Sequence, residues 1–173
     1  MKYILPKHEL NSLLERWSAG HAVLAPQKVG AYTEFLPFGA QSELCLEEPH
    51  NTRFPPKALF FPQSEAILKY KRNTGQLENI EVEPEKRIIF GIRPCDAKAV
   101  ALLDTVFAEG ENQDPFWLAR RAETLLIGLG CHEPCATCFC TSADSGPFNT
   151  EGLDALLTDL GSEYMVELLS ERA

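Results

Sequence analysis

Basic residues are scarce in this sequence: 16 Lys and Arg face 25 Asp and Glu, a net charge of −9. That balance argues against a nucleic-acid partner, because phosphate recognition needs a basic surface. No apolar run approaches the roughly 20 residues of a membrane span. The opening stretch, Met1-Lys2-Tyr3-Ile4-Leu5-Pro6-Lys7-His8-Glu9, meets proline and charge too early to be a signal peptide. No Gly-x-Gly-x-x-Gly or Walker-type loop occurs, so nucleotide binding has no support in the sequence. A Gly-x-Ser-x-Gly elbow is missing too, which removes that route to a serine nucleophile. Repeats, low-complexity tracts and linkers are absent, so residues 1–173 read as one domain, with 45% hydrophobic residues to fill its core. The cytoplasm is the expected compartment, where thiols stay reduced and clustered cysteines serve metals or redox chemistry.

Cysteine is what the chain has in quantity. Four of its six fall within Cys131-His132-Glu133-Pro134-Cys135-Ala136-Thr137-Cys138-Phe139-Cys140. Thiolates crowded in a loop are costly unless a metal or a metal cluster neutralises them. A fifth, Cys95, lies in Arg93-Pro94-Cys95-Asp96, and the sixth, Cys45, stands alone.

Periodicity predicts a mixed α/β fold. Pro6–Ser18 reads as an amphipathic helix, with Leu10, Leu13, Leu14 and Trp17 on one face. Strands are expected at 22–25, 31–36 and 43–46, and one at 65–70. Prolines break residues 55–62 and bar a helix interior there. Arg87–Ile92 and Thr124–Leu129 are short, apolar and β-rich, as buried parallel strands are. Between them, 96–107 and 116–121 read as helices, completing a parallel strand–helix–strand unit. A helix at 152–160 and a terminal strand at 164–168 are expected to close the domain.

Cys95 follows the first core strand and Cys131 the second. The carboxyl ends of adjacent parallel strands emerge at one sheet edge, where α/β folds place their sites. The topology therefore converges five sulfurs on one spot. Cys95, just before the 96–107 helix, is expected to gain acidity from the helix N-terminus. Gly128 and Gly130 allow close approach of the backbone, and Arg93 can offset negative charge. Three readings of the thiols stand open. An iron–sulfur cluster takes three thiolates from a local run and one from elsewhere. A four-cysteine zinc site usually shows two Cys-x2-Cys knuckles, and this chain has one, Cys135-x2-Cys138. A disulfide framework is the plain alternative.

The chain resembles the N-terminal domain of the beta subunits of cytosolic nickel–iron, sulfhydrogenase-type hydrogenases, and the corresponding domain of anaerobic sulfite reductase. The resemblance lies in Leu24-Ala25-Pro26, Pro55-Pro56-Lys57 with Phe60-Phe61-Pro62, and Ile89-Phe90-Gly91-Ile92-Arg93-Pro94-Cys95-Asp96. It continues through Leu102–Phe107, Asp114-Pro115-Phe116 with Arg120-Arg121, and Ile127–Cys131 with Cys138-Phe139-Cys140, covering nearly the whole chain. It implies a [4Fe–4S] electron-transfer domain whose ligands are Cys95, Cys131, Cys138 and Cys140, with no catalysis of its own. Cys135 and Cys45 match no position of that pattern. Cys135 then reads as a spare thiol and Cys45 as buried packing. Asp96 matches the Cys-Asp pair and reads first as a helix N-cap, second as a ligand. The implied partners are other iron–sulfur or hydrogenase subunits, together with a flavin-bearing diaphorase-type subunit. Family members continue into a ferredoxin-like region with further cysteine runs, which these 173 residues do not contain. The chain is thus expected to be a single-domain relative or a piece preceding such a region.

A zinc-stabilised docking module and a thiol-redox enzyme using Cys135 and Cys138 are the competing functional classes. His8, His21, His50 and His132 are scattered, and only His132 lies near the thiols, where it reads as a loop residue. Glu78, Glu81, Glu83 and Glu85 read as a solvated charge run. Trp17 and Trp117 read as core, and Phe139 as a shield for the metal centre.

Overall fold

The computed structural model describes residues 1–39, 41–46, 52–80 and 85–173, so His50, Glu81 and Glu83 lie outside the described residues. Its strands are β1 (Lys2–Pro6), β2 (Ala22–Val29), β3 (Tyr32–Pro37), β4 (Leu68–Lys71), β5 (Gln76–Asn79), β6 (Arg87–Ile92), β7 (Thr124–Leu129), β8 (Ala155–Asp159) and β9 (Glu163–Leu168). The α-helices are α1 (Leu10–Ser18), α2 (Pro94–Phe107) and α3 (Pro115–Ala122). Seven strands form one sheet in the order β1-β9-β8-β7-β6-β2-β3, and β4 and β5 pair apart as a hairpin. The fold is mixed α/β, as expected. Strands β2, β6, β7 and β8 run parallel through the middle, and antiparallel pairs finish both sides.

Strands β6 and β7 pair in parallel, joined by α2 and α3 as the sequence predicts. Their residues alternate between two apolar layers. Ile88, Phe90 and Ile127 face α1 with Leu10 and Leu14, while Ile89 and Leu126 face α2 and α3 with Val100 and Trp117. Trp117, 1% exposed, packs against Phe60 and Phe107 and donates from Nε1 to Asp104 Oδ1 at 2.7 Å. At Gly91 the alternation slips. Its φ of +75° makes a bulge opposite β7, so that Ile92 joins Ile89 on the α2 face. The bulge is also where the chain leaves the sheet for Arg93-Pro94-Cys95.

Three expectations need correction. Residues 152–160 hold no helix; Gly152 has φ +81° and β8 follows at 155. Ala155, Leu156 and Leu157 are buried in succession because both faces of this strand are covered, so the run carries no alternation to mark it as β. The strand expected at 164–168 is present as β9, flanked in the sheet by β8 and by β1, a strand that no sequence pattern announces. Of the strand expected at 43–46, only a bridge between Leu44 and Gln27 exists. The 6–18 helix is split: Pro6 ends β1, Lys7–Glu9 form a 3-10 turn, and α1 begins at Leu10.

Residues 55–62 contain a 3-10 turn, Pro56–Leu59, which leads Phe60 into the core. The predicted 65–70 strand starts at Leu68, and its Lys71 pairs with Glu78 across the hairpin. Among the described residues no helix is long and apolar enough to cross a membrane.

Candidate metal centre

Helix α2 starts one residue before Cys95, with Pro94 at its first position, where a missing N–H costs nothing. Cys95 therefore lies inside the first turn. Asp96 sits in that turn as well and is not the N-cap. Arg93 holds the cap position, with no side-chain cap bond. The acidity expected of Cys95 is overturned. Although Cys95 reaches solvent, partial desolvation by the protein around it and the neighbouring Asp96 carboxylate push the thiol up, and Arg93 and a backbone amide only partly offset them. Burial also raises Asp96, against the pull of Arg93 and Lys57.

The second arm leaves β7 through Gly130. A methyl there would meet the Phe148 ring at 2.4 Å, and one at Gly128 would meet Leu153 at 2.5 Å, so both glycines admit the close approach expected of them. Gly130 N–H donates to Leu157 O at 2.8 Å and Cys131 N–H to Pro147 O at 2.9 Å, fixing where the loop begins. Cys140 opens a 3-10 turn that runs to Ala143. Lys98 on α2 then clasps the loop: its Nζ donates to Asp144 O at 2.7 Å and pairs with Glu151 at 3.4 Å.

The two arms meet at the carboxyl edge of the parallel strands. Cys140 and Cys95 stand near enough that charge on one disfavours charge on the other, and Cys131 acts likewise on Cys138. Arg93 is the cation among them. Its Nη1 lies 3.9 Å from Cys131 Sγ, and its charge favours the thiolates of Cys95 and Cys135. Cys131 Sγ lies 3.3 Å from Glu133 O. Cys135 and Cys138 Sγ are 3.0 Å apart. Hydrogen bonding from the Thr137 hydroxyl and from Cys138 lowers the Cys135 thiol to about 7, and the same pairing raises Cys138.

Beside the thiols a cavity of about 300 Å³ opens, lined by Pro26, Gly91, Arg93, Asp96, Leu129, Cys131 and Asp159 among others. Its position outside the strand carboxyl ends is that of α/β ligand sites. No motif in the sequence announces it, since it depends on the Gly91 bulge and on loop placement. Cys45 lines it too, half-buried and accepting from the Thr33 hydroxyl at 3.4 Å. His132, another lining residue, packs edge-on against Phe148. Burial opposes ionisation of Asp159, but bonds from Lys7 Nζ at 2.8 Å and Gly161 N–H at 2.7 Å prevail and hold the carboxyl below its ordinary range. Phe139 is 73% exposed.

The donor set suits a soft metal cluster: four thiols at one edge, a guanidinium beside them and backbone amides anchoring their loop. Among the described residues no three His, Cys, Asp or Glu side chains gather to hold one metal ion.

No protein-family model and no solved structure matches the chain. It is 29% identical over 147 residues to the beta subunit of sulfhydrogenase 2 of Pyrococcus furiosus, an alignment covering 84% of this chain. The same alignment covers 42% of that relative, so the chain spans about two-fifths of its length. The chain is a distant relative of a sulfhydrogenase-type beta subunit, the kinship to which its Cys-Asp and Cys-Phe-Cys motifs point.

Proposed function

We propose that this chain is an electron-transfer component of a multi-subunit oxidoreductase of the hydrogenase type, and that Cys95, Cys131, Cys138 and Cys140 hold a [4Fe–4S] cluster. The reading is supported by pairwise proximity at the carboxyl edge of β6 and β7: Arg93 lies beside Cys131, and charge on Cys140 is felt at Cys95 and charge on Cys131 at Cys138. When bound, such a cluster supplies one-electron transfer and needs no acid, base or substrate pocket.

The chain's own residues do the rest. Gly130 and Cys131 tie the loop to β8 and Pro147, Lys98 ties it to α2, and Arg93 offsets thiolate charge. In this reading residues 1–173 form one cluster-binding domain that works in the cytoplasm. The longer relative is named as a sulfhydrogenase subunit, which supports docking to other hydrogenase subunits; further iron–sulfur subunits and a flavin-bearing diaphorase-type subunit are partners that the sequence resemblance implies. A zinc-stabilised docking module is the competing class; its usual pair of Cys-x2-Cys knuckles is matched here by one, Cys135-x2-Cys138.

Metal analysis of protein made and purified without oxygen tests the reading. A brown preparation with about four iron atoms per chain is expected. Colourless protein holding stoichiometric zinc would sink it.

A second expectation concerns Arg93. In Arg93→Gln the cluster should remain while its reduction potential falls, because a cation beside the thiolates favours the added electron. A half-buried charge interaction of about 1 kcal/mol corresponds to a shift on the order of tens of millivolts. A redox titration finding no shift would relegate Arg93 to packing.

A further inference from the structure

We propose that Cys135 and Cys138 form a reversible disulfide, and that closing it withdraws Cys138 from the metal centre. The geometry is in place. The two sulfurs stand 3.0 Å apart, so about 1 Å of approach reaches the disulfide bond length of about 2.0 Å. A turn already brackets them: Cys138 N–H donates to Cys135 O at 3.0 Å, and Cys135 N–H donates to Cys138 Sγ at 3.1 Å. Cys138 is exposed and Cys135 half-buried, in a stretch without helix or strand that would resist the motion. The metal reading gives Cys135 no ligand role, which leaves this contact unexplained by it.

The oxidant is a low-molecular-weight disulfide such as oxidised glutathione. One thiolate of the pair attacks an oxidant sulfur, forming a mixed disulfide and releasing one small thiol. The other protein thiolate then attacks the protein sulfur of that mixed disulfide. This closes Cys135–Cys138 and expels the second small thiol. The pair loses two electrons and two protons, which leave in the two released thiols. Excess dithiol reverses both steps. The withdrawal half of the proposal rests on the reading of Cys138 as a ligand, because closure and metal then compete for one sulfur.

The test uses the full chain, metal-free, treated without oxygen with oxidised glutathione and mapped by alkylation and peptide mass spectrometry. The wild type should show a Cys135–Cys138 disulfide and retain no glutathione on either of these two residues. Cys135→Ser should instead retain a glutathione adduct on Cys138. A disulfide from either to Cys131 or Cys140, or an adduct retained by the wild type on Cys135 or Cys138, overturns the proposed pair.

A second arm supplies iron and sulfide to the reduced and the oxidised chain. Uptake should be full in the first and at background in the second, returning after dithiothreitol. Equal uptake by both overturns the withdrawal while the relay reading stands. A reduced chain that binds no iron overturns withdrawal together with the relay reading, and the disulfide is then judged by the mapping alone.

Discussion

Cys95→Ala, Cys131→Ala, Cys138→Ala and Cys140→Ala, made one at a time, should each strip or convert the cluster, whereas Cys45→Ala and Cys135→Ala should keep about four irons per chain. In the proposed site each of the first four supplies the thiolate of one iron, and no water or carboxylate replaces a thiolate with equal softness. Asp96 is the nearest candidate substitute for Cys95, but burial favours its neutral form and so weakens it as a ligand. Loss of the fold would confuse the result only slightly. Cys95 and Cys138 are exposed, so removing either sulfur opens no core cavity. Cys45 is half-buried against Thr33, and its loss should cost about 1 kcal/mol of stability without touching the iron. Iron content and visible absorption give the outcome, and a thermal melt of each metal-free variant separates metal loss from unfolding. If Cys135→Ala emptied the site and Cys140→Ala did not, the local Cys-x2-Cys would be the true ligand pair.

The parts of this fold that declare themselves in sequence are those whose pattern is local. Arg87–Ile92 and Thr124–Leu129 are apolar, β-rich and bounded by polar or special residues, and both strands appear with the predicted bounds. Ala155-Leu156-Leu157 offers only helix-favouring residues in an unbroken apolar run. What makes it a strand is pairing with β7 and β9, information that lies elsewhere in the chain. Strand β1 has exposed residues over most of its length and is held by β9, so no buried face could mark it.

The site divides the same way. Cysteine density and the two parallel strands place the thiols at one edge before any coordinates are known. The side on which Arg93 lands, the cavity beside it and the failure of Asp96 to cap α2 all follow from the Gly91 bulge and from Pro94, which opens the helix ahead of Cys95. Neither is a spacing rule. The Cys135–Cys138 contact depends on how the loop turns after Pro134, which its sequence leaves open.

Gly152→Ala should be the most disruptive small change in the chain, because it strikes the joint between the two arms. Gly152 has φ +81°, where a side chain costs about 1–3 kcal/mol in backbone strain. A methyl there would also lie 2.6 Å from the carbonyl oxygen of Ala97 and 3.2 Å from Ala101 Cβ. Ala97 is fully buried in α2, two residues beyond Cys95, so neither backbone can yield without shifting the helix or the loop. Overpacking of this kind adds about 1–3 kcal/mol, a large share of a typical net stability of about 5–15 kcal/mol.

Gly110 provides the control. It has the same φ of +81°, but a methyl there would meet nothing within 4 Å, so Gly110→Ala carries the strain alone. Denaturant unfolding of the two metal-free variants should therefore place Gly152→Ala about 1–3 kcal/mol below Gly110→Ala. Iron content should fall in Gly152→Ala only, since forcing α2 from the loop separates Cys95 from Cys140. Equal stability of the two variants would mean that the loop is not clamped against α2 in solution. The Lys98 contacts to Asp144 and Glu151 would then be too weak to set the distance between the arms, and Cys95 would depend on the metal itself to draw it into place.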